Sequence, residues 1–529
     1  MPKNLEVNLS DFFSLPNPGL KSYFGRVREG NDQEYRTTFY KGKSVKQVLS
    51  EWMPNLDILE QDWPTLLEFE RDLAGKVGPM SIMKPLNERM DDIMSYYEDS
   101  TSESEPLLHS AVAAVLKEWN PLRGMQLRSV DKTVATMKKS TNSGSPYFSK
   151  RSTVLPKTVP CTIYHDSEHV YQDLPRWQGK ACAVLGWRGQ EGGPETEDVK
   201  QRVVWMFPFS VNIKELQCYQ PLIEGAQKYN LVPAWISMDA VDNSITQLFD
   251  TKGKDDFIVC TDFTKFDQHF GPNCQSAAKE LLTGILSLGN AKDWLSAVFP
   301  IKYMIPLMYD EGKVIVGHHG MGSGSGGTNA DETLVHRALQ YEAAIRNHEK
   351  LNPYSQCLSD DGILTFPGVT ADKVIRSYTV HGLEMNESKQ YVSKQDCTYL
   401  RRWYHDQYRF GGKCRGVYAT TRALGRLCEQ ERYYDPEIWS SKMVALRQLS
   451  ILENIKWHPL REQFAAFCMK GDKYRLGLDI PGFLDNISSI AKEANDLMPE
   501  FLGYTKAQQK QSDSGISNWW IVQYLNSKR

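Results

Sequence analysis

The amino-acid sequence predicts an α+β fold with several lobes. Apolar stretches typical of strands occur at residues 203–207, 257–260 and 303–309 and on both sides of Asp360. Helical patterns lie between these stretches, and the clearest, at residues 328–346, has an apolar face formed by Leu334, Ala338, Tyr341 and Ile345. This alternation favours a sheet with helices on one side. At 529 residues the chain exceeds the size at which one hydrophobic core stops growing.

The flanks of this region are more helical. Helical patterns surround an acidic, serine-rich segment at residues 96–106, which we interpret as an exposed loop. Helices are predicted again at residues 423–433 and 438–455. Residues 505–518 are polar, whereas residues 519–525 are strongly apolar. The end of the chain is therefore predicted to be a loose tether followed by an anchor that docks on the protein.

Composition excludes several classes of protein. The formal net charge is −3, which is not typical of a protein that coats nucleic acid by bulk attraction, so any nucleic-acid path must be a local basic groove. The ten cysteines never form Cys-x-x-Cys, which predicts reduced thiols and no disulfide framework. The N-terminus lacks a signal-peptide pattern, and no run reaches the ~18 apolar residues of a membrane span. We expect no association with a membrane.

Carboxylates follow or precede two of the predicted strands. Asp262 lies two residues after the end of the apolar stretch 257–260. Asp360, in the triplet Ser359-Asp360-Asp361, lies 98 residues after Asp262 and between two apolar stretches. The step from Asp361 to Gly362 favours a hairpin tip there. Hard divalent cations prefer carboxylate oxygens, so the pattern predicts a two-metal phosphoryl-transfer site at Asp262, Asp360 and Asp361. Alternatively, Asp262 is a helix N-cap and Asp-Asp-Gly a surface turn.

A glycine-rich loop and a basic strand complete the pattern. Residues 320–329, Gly-Met-Gly-Ser-Gly-Ser-Gly-Gly-Thr-Asn, hold five glycines within eight residues and run directly into the helix predicted at 328–346. Glycines allow unusual backbone conformations and close approach to a ligand. Lys200 and Arg202 share one side of a predicted strand, with Arg188 before them, and suit phosphate binding. The alternatives are a flexible loop and a solvated strand face.

The order of carboxylate strand, glycine loop and carboxylate hairpin resembles the palm of viral RNA-dependent RNA polymerases. The resemblance covers residues 140–410 through seven ordered motifs and is strongest to picobirnaviruses, with partitiviruses second. It implies a closed right hand of fingers, palm and thumb, with an antiparallel palm sheet backed by helices. By analogy the domains are an N-terminal extension bridging fingers and thumb (1–60), fingers (61–217, with an insertion at about 270–318), palm (218–411), thumb (412–504) and a C-terminal tail (505–529).

The resemblance also implies roles for individual residues. Catalysis and metal binding fall to Asp262, Asp360 and Asp361, and Lys389 protonates the pyrophosphate leaving group. Nucleotide binding falls to Arg188, Lys200, Arg202, Asp267, Ser323, Thr328 and Asn329. Template or product RNA contacts Thr141, Ser143 and Gly144 in a fingers loop, and Arg401 and Arg402 in the primer grip. The alternatives here are an ordinary Gly-Pro turn and a half-buried strand with a basic outer face.

Two departures from the family pattern stand out. Ser359-Asp360-Asp361 replaces the commoner Gly-Asp-Asp. Glu332 lies four residues after Thr328, where many relatives carry asparagine, and we expect the neighbouring Asn329 to take over ribose binding.

The function implied is replication and transcription of a viral RNA genome, expected to be segmented and double-stranded. The resemblance implies two Mg²⁺ or Mn²⁺ ions, RNA template and product, nucleoside triphosphates, a capsid protein as a candidate partner, and location in the virion interior and host cytoplasm. Primer-independent initiation is expected, with Trp519 and Trp520 either stacking beneath the first nucleotide or simply packing on the thumb. The alternatives are a reverse transcriptase and a non-catalytic RNA-binding protein.

Overall fold

The computed structural model describes residues 1–98, 103–435, 437–494 and 515–529. The acidic segment at 96–106 and the proposed tether therefore lie partly outside the described residues. All ten cysteines are buried and unbridged. Within the described ranges, no helix is both long and apolar enough to cross a lipid bilayer.

A four-stranded antiparallel sheet lies at the centre of the molecule. Its order is Gln356–Leu358, Asp361–Leu364, Ile258–Thr261 and Tyr391–Ser393. Gly362 pairs with Thr261, and Tyr391 pairs with Cys260 on the other side of the same strand. Residues Ile258, Val259, Ile363 and Leu364 are fully buried, as expected for the middle of a sheet with a packed face.

The helix Thr328–Arg346 packs behind this sheet, with the bounds that the sequence pattern predicts. Around it lie the helices His109–Glu118, Pro272–Ile285 and Ala371–Thr379. The expectation of a single apolar face is incomplete, because this helix is buried on nearly all sides. Its buried polar side chains include Asp331, Glu332, His336, Gln340 and Glu342. Each of these requires an internal partner.

The fold contains a second, five-stranded sheet. Its order is Lys3–Glu6, Lys313–Val316, Leu307–Asp310, Ala183–Gln190 and Lys200–Met206. The predicted strand at 303–309 is only partly correct, since Phe299–Tyr303 forms a 3₁₀ helix and pairing starts at Leu307. The predicted strand at 203–207 is confirmed as the end of Lys200–Met206, which carries Lys200 and Arg202 exposed on one side.

Smaller sheets and the remaining helices cover these two sheets. The smaller strand groups are Thr162–His165 with Val170–Leu174 and Trp177–Ala181; Asp396–Tyr399 with Arg402–His405 and Val417–Tyr418; and Arg409–Phe410 with Lys413–Cys414. The other helices of more than six residues before residue 260 are Pro18–Glu29, Val45–Trp52, Pro64–Ala74, Leu86–Met94, Val130–Thr136, Arg151–Thr158, Phe209–Lys228 and Met238–Thr251. Those after it are Asn290–Ala297, Thr420–Cys428, Ser441–Glu453, Arg461–Gly471, Ile487–Ala494 and Trp520–Asn526.

A separate hydrophobic core joins the two ends of the chain. Residues 39–77 pack there against residues 403–494. The apolar anchor also docks in it through Ile521, Val522 and Leu525. The carboxylate of Glu453 accepts the backbone N–H groups of Trp520 and Ile521, both at 3.0 Å, and so caps the last helix. Trp520 stacks on Tyr524 with ring centroids 5.5 Å apart. In the described residues, the anchor therefore packs on the helical C-terminal lobe.

The strand Tyr35–Arg36 pairs with Glu429–Gln430 and ties the N-terminal segment to this lobe. The Glu429 side chain is buried and hydrogen bonds with the carboxyl group of Glu34, while Arg36 lies 3.9 Å away. Burial and then Glu34 raise the pKa of Glu429 to about 9. Two carboxyl groups in contact hold one proton between them.

Glu429→Gln is expected to stabilise the protein at pH 8 but not at pH 5. The pKa of Glu429 in the folded protein lies above its value in the unfolded chain, so folding stability falls as the pH rises towards 9. Glutamine stays neutral and avoids that loss. The measurement is thermal unfolding at both pH values, with the exposed Glu349→Gln as a matched control. An equal change in melting temperature at pH 5 and pH 8 would contradict the shared proton.

Candidate active site

Strand register brings three carboxylates to one edge of the central sheet. Gly362 pairs with Thr261 on the neighbouring antiparallel strand. The residue before Gly362, Asp361, and the residue after Thr261, Asp262, therefore lie next to each other at the same edge. Asp360 precedes Asp361 in the turn of the hairpin. Asp262 is held from its backbone, because its N–H donates to the amide oxygen of Gln390 and its C=O accepts from the amide nitrogen, each at 2.8 Å.

The hairpin turn differs from the one expected. Leu358 pairs with Asp361, which places Ser359 and Asp360 at the tip rather than Asp361 and Gly362. Ser359 has a φ of 54°, in the left-handed region. Gly362 lies inside a strand, where an added Cβ would come within 2.6 Å of the His336 ring. The glycine is therefore needed for close packing and not for the turn.

The three carboxylates lie in a region of unfavourable electrostatics. Burial and then the charge of Asp360 raise the pKa of Asp361 to about 7. Burial also raises the pKa of Asp360, with Asp267 as the next cause, and the pKa of Asp262. Across the described residues, none of the three forms an ion pair within 4.0 Å. Such a cluster gains stability when a cation binds.

Basic side chains surround this edge without pairing to it. The charges of Lys389, Lys200 and Lys76 each lower the pKa of Asp262 against the effect of burial. Arg202 acts similarly on Asp360, and Arg401 on Asp361. Lys200, Arg202, Lys389 and Arg401 are all exposed. The fold thus brings together residues that the sequence separates by more than 200 positions.

The chain bends between Asp262 and Asp267, as their spacing predicts. Lys265 has a φ of 49° and precedes the short helix Phe266–His269, whose first turn contains Asp267. The backbone C=O of Asp267 accepts the N–H of Met321 at 2.8 Å, which joins this bend to the glycine loop. Asp267 also acts on the pKa of Asp360, so it belongs to the same cluster.

The glycine loop is held by buried charged residues that the sequence analysis missed. The Glu215 carboxylate accepts from Ser325 Oγ and from the Gly326 N–H. Lys302 Nζ lies 3.0 Å from Asp331, and both side chains are fully buried. Asp331 also accepts the hydroxyl groups of Tyr219 and Tyr303, each at 2.7 Å. The C=O of Lys302 accepts the Gly322 N–H at 3.0 Å, which links this network to the loop.

Close packing, not left-handed backbone, explains the glycines of this loop. None of the five between residues 320 and 327 has a positive φ. An added Cβ on Gly324 would lie 1.6 Å from the C=O of Trp205, on the basic strand. Ser323 Oγ accepts the N–H of Trp205 at 3.4 Å, and Thr328 Oγ1 donates to loop carbonyls, including that of Ser325 at 3.2 Å. Ser323 and Thr328 therefore close the loop against the strand that bears Lys200 and Arg202.

Asn329 points towards a different neighbour. Its amide oxygen accepts the indole N–H of Trp235 at 2.8 Å and the hydroxyl of Thr333 at 3.3 Å. Glu332, three residues further on, hydrogen bonds with Asp267 and with Ser359. The assignment of Asn329 to ribose binding stays a prediction.

The predicted RNA-binding residues occupy two loops. Ser143 is 2% exposed and Gly144 is buried, whereas Thr141 is exposed. The Ser143 C=O accepts the N–H of Phe209 at 2.9 Å, so the loop packs on the segment that follows the basic strand. The backbone of this loop is therefore held in place by hydrogen bonding, while the Thr141 side chain next to it is exposed.

Arg401 and Arg402 lie at the turn between the strands Asp396–Tyr399 and Arg402–His405. The Leu400 N–H in this turn donates to Asp361 Oδ2 at 2.8 Å. Arg188 lies opposite Arg202 across two strands and pairs with Glu431 at 2.9 Å. The two basic elements therefore flank the carboxylate edge.

The donor set suits an open site for divalent cations. Within the described ranges, no three His, Cys, Asp or Glu side chains enclose a metal position by themselves. Magnesium commonly keeps several waters and takes one or two carboxylates together with substrate phosphates. Asp262 and Asp360 are exposed and Asp361 is half-buried, so carboxylates without ion-pair partners among the described residues remain accessible at the strand edge and fit such a partly substrate-built site.

Comparisons with known proteins identify the family. Residues 31–422 match the viral RNA-dependent RNA polymerase family. The chain belongs to that family. It is 60% identical, over 98% of both chains, to a potential RNA-dependent RNA polymerase of human picobirnavirus. The crystal structure of a human picobirnavirus RNA-dependent RNA polymerase matches 99% of the chain and 100% of its own, with a TM-score of 0.95 and 59% identity. An insertion-loop deletion mutant of such a polymerase matches over the same shares with a TM-score of 0.93 and 58% identity.

These matches confirm three predictions. The polymerase has the right-hand fold, and the antiparallel sheet bearing Asp262, Asp360 and Asp361 occupies its palm. It is an RNA-dependent RNA polymerase, which decides against a reverse transcriptase and a non-catalytic protein. The prediction that the chain resembles picobirnavirus polymerases most strongly is confirmed as well. The roles of individual residues and the domain boundaries stay predictions.

Proposed function

We propose that the polymerase copies RNA by two-metal nucleotidyl transfer at Asp262, Asp360 and Asp361. The observation that carries this proposal is the sheet register, which sets Asp262 beside Asp361 with Asp360 in the adjoining turn. The raised pKa values of the three carboxyl groups support it, because carboxylates that repel one another and have no basic side chain paired to them are stabilised by a bound cation. Divalent ions bound there would activate the attacking 3′-hydroxyl and stabilise the charge of the leaving pyrophosphate.

The chain's own residues position the reactants around this edge. Lys200 and Arg202, exposed side by side on one strand, bind the triphosphate oxygens, and Arg188 extends the basic surface. Lys389 donates a proton from Nζ to the departing pyrophosphate. Two observations support this role: Lys389 precedes Gln390, which hydrogen bonds with the Asp262 backbone, and its charge lowers the pKa of Asp262.

Ribose and RNA are held by the remaining predicted residues. Asp267 accepts the ribose 2′-hydroxyl, and Ser323, Thr328 and Asn329 order the loop and helix beside it. Thr141, Ser143 and Gly144 line the template entrance, and Arg401 and Arg402 hold the product strand. The domain boundaries given above belong to this proposal.

The biological setting is part of the same proposal. We propose that the enzyme initiates without a primer, transcribes and replicates a segmented double-stranded RNA genome, and works in the virion interior and host cytoplasm with a capsid protein as partner. The docked anchor supports a fixed position for the end of the chain near the helical lobe.

The test is incorporation of labelled nucleotides by the purified protein on an RNA template. We expect incorporation of ribonucleotides with Mg²⁺ or Mn²⁺, with and without a primer, and a loss of signal with a chelator. Deoxyribonucleotides should be used at least 100-fold less well, because Asp267 selects the 2′-hydroxyl. Metal-independent incorporation would contradict the two-metal proposal, and activity only with a primer would contradict independent initiation.

A further inference from the structure

A cavity of about 410 Å³ lies beside the strand Gln356–Leu358, which leads into the catalytic hairpin. This volume is within the range of about 300–1,000 Å³ that small-molecule sites occupy. The residues to which the proposed function assigns a role do not line it. We call it the palm cavity. Its walls come from residues within 118–119, 230–236, 240–247 and 353–357, and from Thr333 and Arg337 of the central helix.

The lining of the palm cavity includes a buried polar atom without a partner. The Gln356 side chain is 4% exposed, and in the described part of the chain no N–H or O–H group donates to its Oε1. Its Nε2 lies 3.4 Å from the C=O of Val241. Because a C=O can only accept, this contact fixes the orientation of the amide, and the unpartnered atom is an acceptor. A ligand that offers an N–H group would satisfy it.

The two charged side chains of this lining neutralise each other. Arg337 pairs with Glu118 through Nε at 3.0 Å and through Nη2 at 2.6 Å. Its other N–H groups donate to Gln340 Oε1 and to the C=O groups of Pro353 and Ser355. All five donors of the guanidinium group are thereby occupied. The palm cavity therefore suits an uncharged group and not a phosphate.

The rest of the lining combines aromatic, apolar and amide side chains. Trp119 and Tyr354 are aromatic, and residues 231–233 are apolar. Asn243 and Gln247, which are both exposed, lie one turn apart on the helix Met238–Thr251 and supply amides. Aromatic side chains stack on nucleobases, and asparagine and glutamine pair with the edge of adenine. This combination favours a planar heterocycle that carries N–H groups.

The palm cavity also adjoins the support of the catalytic hairpin. Thr333 lines the cavity, and its Oγ1 accepts the N–H of Ser359, at the tip of the hairpin, at 2.9 Å. The Cys357 thiol donates to the Thr333 C=O at 3.6 Å. A ligand bound against Gln356 and Thr333 would therefore restrain the hairpin that carries Asp360.

We propose that the palm cavity binds a nucleobase with an exocyclic amino group, adenine being the best match, and that the bound base stiffens the catalytic hairpin. The amino group donates to Gln356 Oε1. Asn243 and Gln247 bind the outer edge of the base, and the sugar with any phosphate extends into solvent. This site is separate from the one proposed for nucleotidyl transfer.

The first test is calorimetric titration of the wild-type protein, with a chelator present, by adenosine and by purine riboside, which lacks only the exocyclic amino group. Adenosine should bind at least fivefold more tightly, because it alone donates to Gln356. Gln356→Met keeps the length of the side chain without the acceptor and should abolish this preference. Equal affinities in the wild type would overturn the proposed contact, and no adenosine binding up to about 1 mM would overturn the site.

The second test locates the bound adenosine. Asn243→Trp, at an exposed position, should obstruct the palm cavity and weaken binding at least tenfold, whereas the exposed Asn526→Trp is the matched control and should have no effect. Asp360→Asn should bind adenosine as the wild type does. Loss of binding in Asp360→Asn, with full binding in Asn243→Trp, would place adenosine at the polymerase site and overturn the proposal without affecting the proposed function.

Two further measurements test the source of the base and its effect. If ATP depends on Asn243 as adenosine does, the site takes a free nucleotide; if only a short oligoadenylate does so, the base comes from RNA. Amide hydrogen exchange in residues 356–361 should slow at least threefold with adenosine bound. Unchanged exchange in the saturated protein would overturn the coupling to the hairpin.

Discussion

Asp361→Asn is expected to stabilise the metal-free polymerase at pH 8 while lowering its activity at least 100-fold. The pKa of Asp361 in the folded protein is about 7, above the ordinary value for aspartate. Its contribution to stability is therefore complete below about pH 4 and is lost progressively as the pH rises to about 7. Each pKa unit corresponds to about 1.4 kcal/mol, so the loss approaches about 4 kcal/mol at pH 8. Asparagine does not ionise and avoids it.

Thermal unfolding at pH 5 and pH 8, with chelator or with Mg²⁺, checks this expectation. The melting temperatures of wild type and variant should lie closer together at pH 5 than at pH 8. Added Mg²⁺ should then stabilise the wild type more than the variant. The exposed Asp372→Asn, on the helix Ala371–Thr379, is the matched control. A variant that is less stable than wild type at pH 8 without metal would refute the view of the cluster as self-repelling.

Lys302→Met is expected to cost about 3–5 kcal/mol of stability, because it leaves the Asp331 carboxylate buried without its cation. The substitution also removes the cation–π contact of Lys302 Nζ with the Phe299 ring, 3.6 Å from the centroid, while the side chain remains apolar and similar in length. Two tyrosine hydroxyl groups still donate to Asp331 but do not neutralise it. Since the Lys302 backbone holds Gly322, incorporation should also weaken through a higher KM for nucleotide.

Denaturant unfolding and steady-state kinetics measure the two effects. Lys302→Met combined with Asp331→Asn removes the unpaired charge and should recover at least half of the lost stability. The exposed Lys292→Met controls for the substitution itself. A double variant as unstable as Lys302→Met would mean that lost packing, and not the buried charge, is responsible.

Local patterns predicted the elements that carry the site. The helix Thr328–Arg346 has the expected bounds, and the strands ending at Thr261 and beginning at Asp361 follow from short apolar runs beside carboxylates. Such patterns reflect periodic burial, which the sequence displays directly. The bend at Lys265 also follows from sequence, because Asp262 and Asp267 could not otherwise share a site.

Long-range contacts explain what the sequence could not predict. Gly362 looks like a turn residue, but its role comes from a His336 ring supplied by another element. Glu215, Lys302 and Asp331 have ordinary local surroundings, and their importance arises only when the fold buries them together around the glycine loop. The contact of the Asn329 amide with Trp235 was also invisible, because sequence shows residue type and spacing but not the direction of a side chain.

The most direct test of the catalytic assignment is single-turnover incorporation of one labelled ribonucleotide by wild type and Asp360→Asn, with RNA affinity measured alongside. The assignment predicts that the variant binds RNA normally and melts no lower than wild type, yet incorporates at least 1000-fold more slowly at saturating Mg²⁺. Incorporation by a folded Asp360→Asn protein at a rate near that of wild type would contradict it.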